Sequence, residues 1–424
     1  MQAPQVTHPD IELDGARLLA QLRALGEIGA APDVGGRTRI ALTDNEKAGR
    51  DLVVRWMREL DLEVRVDRIG NLFGTLRSET DTGSEAPLMI GSHIDTVTHA
   101  GALDGCYGVL AGLAVARAFR QAGIRPRRSI TIGTFTNEEG VRYQPDMMGS
   151  LVYAGGLALE DALNTIGTDG TRLGDELERI GYAGDMAPGA RVPHAYLELH
   201  IEQGPILEAE HTLIGVVENL QGISWQQVTV QGHANHAGTT PTHLRHDAGW
   251  AACAIADFLR ELAVASNGTT LATVGCMRFE PNVINVIPRK ATFTVDLRDP
   301  DEARLQAAEK RLAAIAEREG VTIGTEQLAR FEPVVFDRAL TDAIEASAQR
   351  LGLSHRRMTS GAGHDAQMIA RMAPSAMIFV PSRGGISHNP REHTDDDQLI
   401  MGARVLLDVV LRRLAPPAAQ AVDR

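Results

Sequence analysis

Apolar residues recur at helical spacing in Leu18–Leu25 and again at Ala48, Leu52, Val53, Trp56, Met57 and Leu60. The second run follows Thr43-x-x-Glu46, a pattern in which hydroxyl and carboxylate each cover an open N–H of a first helical turn, and it predicts a surface-packed amphipathic helix. Leu62–Val66 and Asn71–Leu76 alternate with period two around Arg68-Ile69-Gly70 and read as strands. Short apolar runs bounded by polar clusters, Pro87–Ile90, Ser129–Phe135, Ala195–Leu199 and Ala376–Val380, predict buried strands. Between the first two lies Gly105–Ala122, small and apolar, with Gly108 and Gly112 permitting close helix–sheet approach. Strand, helix, strand in that order predicts a right-handed parallel crossover.

Residues 1 to about 14 are polar and expected to be loosely held, and 155–193 are Gly-rich with short helical pieces such as Leu173–Ile180. From about Val217 the pattern changes. Ser224–Gln231, Thr270–Phe279, Ala291–Arg298 and Val321–Glu326 read as strands, Asp247–Ala263 and Asp301–Arg318 as helices. The order β-α-β-β-α-β is that of a self-contained split module. After Phe331 an α/β rhythm returns, with helices over Thr341–Leu351 and about Asp396–Leu414. The expectation is an α/β fold: a mixed-sheet domain with helices on both faces, residues 1–216 and 331–424, carrying an inserted α+β domain, 217–330.

At 424 residues two domains are the natural division. With 42 Lys+Arg against 55 Asp+Glu the formal net charge is −13, which disfavours nucleic acid and anionic membrane as partners. Cys106, Cys253 and Cys276 are widely spaced, so neither a disulfide framework nor a thiolate zinc site is expected. The first residues lack a basic region followed by an apolar core, and no apolar run approaches about 18 residues, so a soluble, cytoplasmic protein is expected.

Polar clusters sit at the predicted strand ends. His93 follows Pro87–Ile90, with Asp95 two residues on and Asp104 at the lip of the next helix; Glu138 and Glu139 follow Ser129–Phe135; His200 follows Ala195–Leu199; His388 follows Ala376–Val380 in Gly-Gly-Ile-Ser-His. In parallel α/β units such ends converge in one crevice. Each piece alone fits a plainer role: His-x-Asp a surface pair, Glu-Glu a solvated turn, His200 a satisfied core imidazole. Together His93, Asp104, Glu139, His200 and His388 form a nitrogen and oxygen donor set suited to Zn, Mn, Co or Ni. Adjacent Glu138 and Glu139 point to opposite sides, so one can bind metal while the other faces the bound water. Two metals sharing a carboxylate polarise a carbonyl and lower the pKa of that water.

The set GSHIDTV, DGCYGVLAGL, TFTNEEG, ELHIEQGP, GHANHAGTTP, GHDAQ and GGISHNPRE resembles the amidohydrolase branch of the dizinc aminoacylase and carboxypeptidase-like metallohydrolases, over about residues 40–400. That branch contains N-carbamoyl-L-amino-acid hydrolases, β-ureidopropionases and allantoate amidohydrolases. The resemblance implies hydrolysis of a linear C–N bond in a ureido compound by two divalent metals per subunit. His93, Asp104 and His200 would surround one ion, and Asp104 would bridge to a second held by Glu139 and His388. Glu138 would be the general base and Asp95 the partner that orients His93. His393 competes with His388, but the family's ligand lies in Ser-His four residues before a Glu, which Glu392 matches. The resemblance also makes the insert a dimerisation and lid domain of a homodimer, with His236, Asn285 and Arg298 reaching the partner's site. Arg298 would grip a substrate carboxylate and His236 an oxyanion, while Gln203 and the backbone of Gly384 and Gly385 would contact ureido group and carboxylate. One departure stands out: after Thr-Thr-Pro the family usually has Met, where this chain has Thr242-His243.

Overall fold

The structure, a computed structural model, describes residues 11–414 other than 32, 34 and 319. The polar N-terminal stretch therefore lies outside the described residues as far as residue 10. The strands in chain order are β1 (Glu63–Val66), β2 (Leu72–Leu76), β3 (Leu88–His93), β4 (Ile130–Phe135), β5 (Ala195–Ile201), β6 (Ile214–Leu220), β7 (Gly222–Gln231), β8 (Leu271–Glu280), β9 (Lys290–Asp299), β10 (Thr322–Phe331), β11 (Val334–Val335), β12 (His355–Ser360) and β13 (Ser375–Val380). Contacts divide the chain into two compact units, one running to Glu218 and resuming at Phe336, the other Asn219–Val335.

The first unit is built on a mixed nine-stranded sheet, ordered β1-β2-β4-β3-β5-β13-β6-β11 with β12 on β6. Its middle, β4-β3-β5-β13, is parallel, and the pairings β1-β2, β2-β4, β13-β6 and β6-β11 are antiparallel. Every residue of β3, β4, β5 and β13 is buried, as expected of strands covered on both faces. Helix Cys106–Gln121 lies against β3 and β5. A Cβ on Gly108 would stand 2.5 Å from the Leu199 carbonyl oxygen, so this close approach needs glycine. Four parallel strands therefore end side by side, and the loops that follow them share one edge.

Helix Asp44–Glu59 is the expected surface-packed amphipathic helix, with two charged residues on its inner face that the pattern does not predict. Thr43 caps it by accepting from Glu46 N, but the Glu46 carboxylate accepts from Leu42 N at 3.2 Å and pairs with Arg50. Both charged side chains are buried, and Arg50 also donates to Gly70 O and to Thr136 Oγ1 at 3.1 Å. Glu46 and Arg50 thus face inward, tying the helix to the turn that follows β4, while Asp44, Asp51, Arg55 and Arg58 stay exposed. Strands β6, β11 and β12 were not expected. The run His355-Arg-Arg-Met-Thr-Ser360 is too polar to read as a strand, and its intermediate burial fits its place off the main path.

The second unit shows the expected β-α-β-β-α-β order. Its antiparallel sheet runs β10-β7-β9-β8. β7 and β9 alternate buried and less buried positions, and Val228, Val230, Phe293, Val295 and Leu297 form a core with Ile255, Leu259 and Leu305 from helices Ala248–Ala265 and Glu302–Arg318. β10 continues beyond the expected Glu326 through a bulge between Gln327 and Ala329. Among the described residues no helix is long and apolar enough to cross a membrane.

Candidate metal centre

At the carboxyl edge of the parallel strands, five predicted side chains come together in two groups, His93–Asp104–His200 and Asp104–Glu139–His388, with potential ligand atoms within 4.8 Å of one another in each. Asp104 Oδ1 lies 3.5 Å from His93 Nε2 and 3.2 Å from His200 Nε2. Its other oxygen lies 3.2 Å from His388 Nε2, which is 3.3 Å from Glu139 Oε2. Tetrahedral ligands about 2.0–2.1 Å from an ion stand about 3.3 Å apart, so these spacings suit a cation inside each group. Gly105, at φ 65°, makes the arrangement possible: a Cβ there would fall 2.3 Å from His93 Nε2. Glu139 Oε1 and Gln203 Oε1 are buried with no hydrogen-bond partner among the described residues, which also fits a centre built to receive a cation or ligand.

The tautomers are set from behind. His93 Nδ1 is 3.0 Å from Asp95 O and His200 Nδ1 is 2.8 Å from Ile201 O. Carbonyls only accept, so each Nδ1 carries a hydrogen; each Nε2 donates to Asp104 while protonated and, once deprotonated, offers its lone pair to a cation beside that carboxylate. The Gly105 N–H approaches the His200 lone pair at 3.0 Å. Asp95 therefore orients His93 chiefly through its backbone carbonyl, its carboxylate standing 3.7 Å from the ring. That carboxylate instead accepts from Glu138 N at 3.3 Å and Glu139 N at 3.2 Å, fixing the turn that carries both glutamates.

Charge is crowded here. Burial pushes the Glu139 carboxyl up to about 8, and neighbouring Asp104 adds to it. Burial likewise pushes Glu138 well above the usual carboxylate range, with Glu139, Asp365 and Asp104 adding and His93 opposing. Burial of Asp104 works in the same direction, but hydrogen bonds from His200, His388 and His93 outweigh it and hold that carboxyl well below its ordinary value. The hydrogen bond to Asp104 raises His388 to about 9. Carboxylates this close require either protons or another source of positive charge, and a divalent ion supplies the latter. Glu138 Oε2 is 3.4 Å from His93 Nε2, at the rim of the first group.

The remaining predicted residues fall in several places. Gln203 donates to Asp104 Oδ2 at 2.8 Å. At Gly384 and Gly385, expected to contact substrate through the backbone, Gly384 N–H goes to Glu208 Oε2 at 2.6 Å and Gly385 N–H to Ser382 O at 2.9 Å. His393 points at Asp395, 3.1 Å away, while His388 joins Asp104 and Glu139. In the second unit His236 is exposed, bridged to Val286 beside Asn285, which accepts from Ala237 N at 2.9 Å. Arg298 donates from Nε and Nη2 to Asp296. His236 and Asn285 belong to the end of the sheet where Lys290 pairs Gln231, whereas Arg298 pairs Ile223 at the other end. Eight residues along β9 amount to roughly 27 Å at about 3.4 Å each, so one unit does not bring these three together.

Some participants were assigned no role from sequence. Glu392 accepts from Leu103 N at 2.9 Å and Asp104 N at 3.3 Å, holding the loop that aims Asp104. Ser387 Oγ sits 3.0 Å from Glu392 Oε2 and 3.1 Å from Asp104 Oδ2. His364 is buried with its ring centroid 4.6 Å from that of His200, and burial keeps its pKa well below the ordinary value. The available signal was a His-Asp pair in a Gly-rich loop between a helix and an apolar strand.

A parallel-sheet edge presenting paired His and carboxylate donors around one shared aspartate defines a metallohydrolase centre. The chain belongs to Peptidase family M20/M25/M40, which it matches over residues 89–412. It is 43% identical over 400 residues to the N-carbamoyl-L-amino-acid amidohydrolase of Rhizobium meliloti, covering 93% of this chain and 95% of that protein. The allantoate amidohydrolase of Bacillus subtilis (strain 168) is 34% identical over 400 residues, 92% of this chain and 95% of its own. The crystal structure of a hydantoinase/carbamoylase family amidase from Burkholderia multivorans matches with a TM-score of 0.90 at 44% identity, covering 97% of this chain and all of that one (100%).

Proposed function

We propose that this chain hydrolyses the linear ureido C–N bond of an N-carbamoyl-L-amino acid, giving the free amino acid, carbon dioxide and ammonia, with two divalent ions per subunit. The observation that carries this reading is Asp104, whose two oxygens face two separate ligand groups as a bridging carboxylate would. His93, Asp104 and His200 would hold one ion, Asp104, Glu139 and His388 the other. Nitrogen and oxygen donors without sulfur suit Zn, Mn, Co or Ni. When bound, the ions polarise the ureido carbonyl and favour deprotonation of the attacking water.

The chain's own groups do the rest. Glu138 Oε2 accepts the water proton and returns it to the amino nitrogen as the C–N bond breaks. The water oxygen stays on the carbamate, which separates into carbon dioxide and ammonia. Gln203, already donating to Asp104, stands beside the ureido group. Arg298 leaves Asp296 to grip the α-carboxylate with two parallel N–H bonds, and His236, with Asn285 beside it, donates to the developing oxyanion. The unit ending at Glu218 and resuming at Phe336 is the catalytic domain, and Asn219–Val335 the dimerisation and lid domain. A homodimer accommodates the opposite placement of Arg298 and His236 along β9, because each substrate can draw on two copies of the insert. The free cysteines suit a reducing cytoplasm, and the net charge of −13 disfavours nucleic acid as a partner.

Ammonia release from N-carbamoyl-L-amino acids, N-carbamoyl-β-alanine and allantoate, with and without chelator, tests this. Turnover of the first class that is lost on chelation and restored by metal is the expected result. Preference for allantoate, which a relative's name raises, would move the substrate assignment but keep the chemistry. Stoichiometric metal binding with no turnover of any of these would replace the hydrolase with a binding protein.

A further inference from the structure

A charged cluster of opposite sign lies at the other edge of the same sheet. Leu88 opens β3, and the register sets it beside Ile130 of β4 and Ala195 of β5. The residues just ahead of those two starts are Arg127, Arg128 and His194, and Arg413 comes from the last turn of helix Asp396–Leu414. These four line a pocket of about 240 Å³ with Leu88 at its apolar wall. Among the described residues no carboxylate lines it. Arg128 Nη1 is tethered to Ala86 O at 2.7 Å and Arg413 Nη2 to Ala339 O at 3.1 Å, each leaving further N–H donors of its guanidinium. Arg128 and Arg413 share this pocket with His194, whose pKa burial lowers and their positive charge lowers further. Glu85, which acts on His194 in the opposite sense, already accepts from Ser78 Oγ at 2.9 Å and Ser129 N at 3.1 Å.

Three arginines line one pocket with no carboxylate among its described lining residues, so their like charges go unbalanced there, in a chain whose net charge of −13 offers acidic partners elsewhere. An anion balances that charge. Planar guanidinium forks match oxyanions through paired N–H bonds. The volume is below the roughly 300–1,000 Å³ of drug- and cofactor-sized sites, which limits the occupant to a small ion or a single headgroup. We propose that this pocket binds a small oxyanion of the phosphate class between Arg127, Arg128, Arg413 and the His194 imidazole. The site is separate from the metal centre, at the opposite end of β3 from His93, and does not depend on the function proposed above.

The test follows the His194 imidazole by NMR in the full-length, metal-loaded protein, its resonance identified by loss in His194→Asn. Titration with inorganic phosphate at constant ionic strength should move it saturably and raise its pKa, whereas chloride should not. Arg127→Ala with Arg413→Ala should weaken the response at least about tenfold, the loss of charge-assisted bonds. Glu138→Gln should leave it intact, separating this pocket from phosphate taken up at the metal centre. Glycerol phosphate binding as well as phosphate would assign a monoester headgroup, and its exclusion free phosphate, both supporting the site. Equal binding of acetate would overturn the phosphate class. A response no larger than that to chloride, or one retained in the double variant, would overturn the site. Arg127 is exposed, so Arg127→Ala alone serves if the double variant does not fold.

Discussion

The metal centre and the positions of the insert proposed to meet substrate are built in opposite ways. In the first unit His93, Asp104 and His200 are buried, each held by a second bond from behind, and grouped within a few ångströms at the ends of parallel strands. In the second, His236 and Asn285 are exposed on loops at one end of β9, and Arg298 rests on Asp296 at the other. A centre that must hold charge in place is over-determined by its scaffold. The groups proposed to meet a substrate only during the reaction are left exposed or half-exposed, with partners they can exchange. Removing a residue from the first region should therefore cost metal or the chemical step, and from the second, substrate binding.

The largest expected effect is that of Asp104→Ala. Both ligand groups share this side chain, so metal content measured by mass spectrometry and ammonia release should fall together, the latter by at least about 10³-fold given the several kcal/mol a metal supplies. Retention of one ion at undiminished affinity would show that the groups are independent. Glu138→Gln separates holding metal from using it: metal content should stay nearly intact while kcat falls about 10²–10⁴-fold, the usual worth of general acid–base catalysis. Loss of both metals in this variant would remove Glu138 from the base role. Arg298→Ala moves to the second region. One charge-assisted contact to a carboxylate is worth about 1.5–3 kcal/mol, so KM for carboxylate-bearing substrates should rise about 10- to 100-fold with kcat little changed. An unchanged KM would erase the contrast between the two regions.

That contrast also governs what could be read in the sequence. His93, Glu138, Glu139, His200 and His388 were legible because each follows an apolar strand, and parallel strands deliver their ends to one edge. The second role of Asp95 was not, since it works through a backbone carbonyl and two N–H groups of a distant turn. Buried Arg50 was hidden for a related reason: a charged residue on an amphipathic helix reads as solvated unless its partners, Glu46 and Thr136, are seen to meet it. His236, Asn285 and Arg298 came only from the family resemblance, which gives no distances, and their separation along β9 emerged from the pairing register. Strand β12 was missed because its sequence is polar.

The smallest effect discriminates the two histidines of the last site loop. His388 and His393 lie five positions apart, and a ligand role at either would be chemically reasonable. In the structure both side chains are about half exposed, but His388 holds φ at 53° and brings Nε2 within 3.3 Å of both Asp104 and Glu139, whereas His393 pairs only with Asp395 among the described carboxylates. A surface pair of that kind contributes about 0–1 kcal/mol. His393→Ala should therefore leave metal content and kcat within about twofold and shift stability by no more than about 1 kcal/mol, while His388→Ala loses one ion's worth of metal. If metal analysis shows the reverse, the second ligand group is wrongly composed, and the shared role of Asp104 has to be rebuilt around His393.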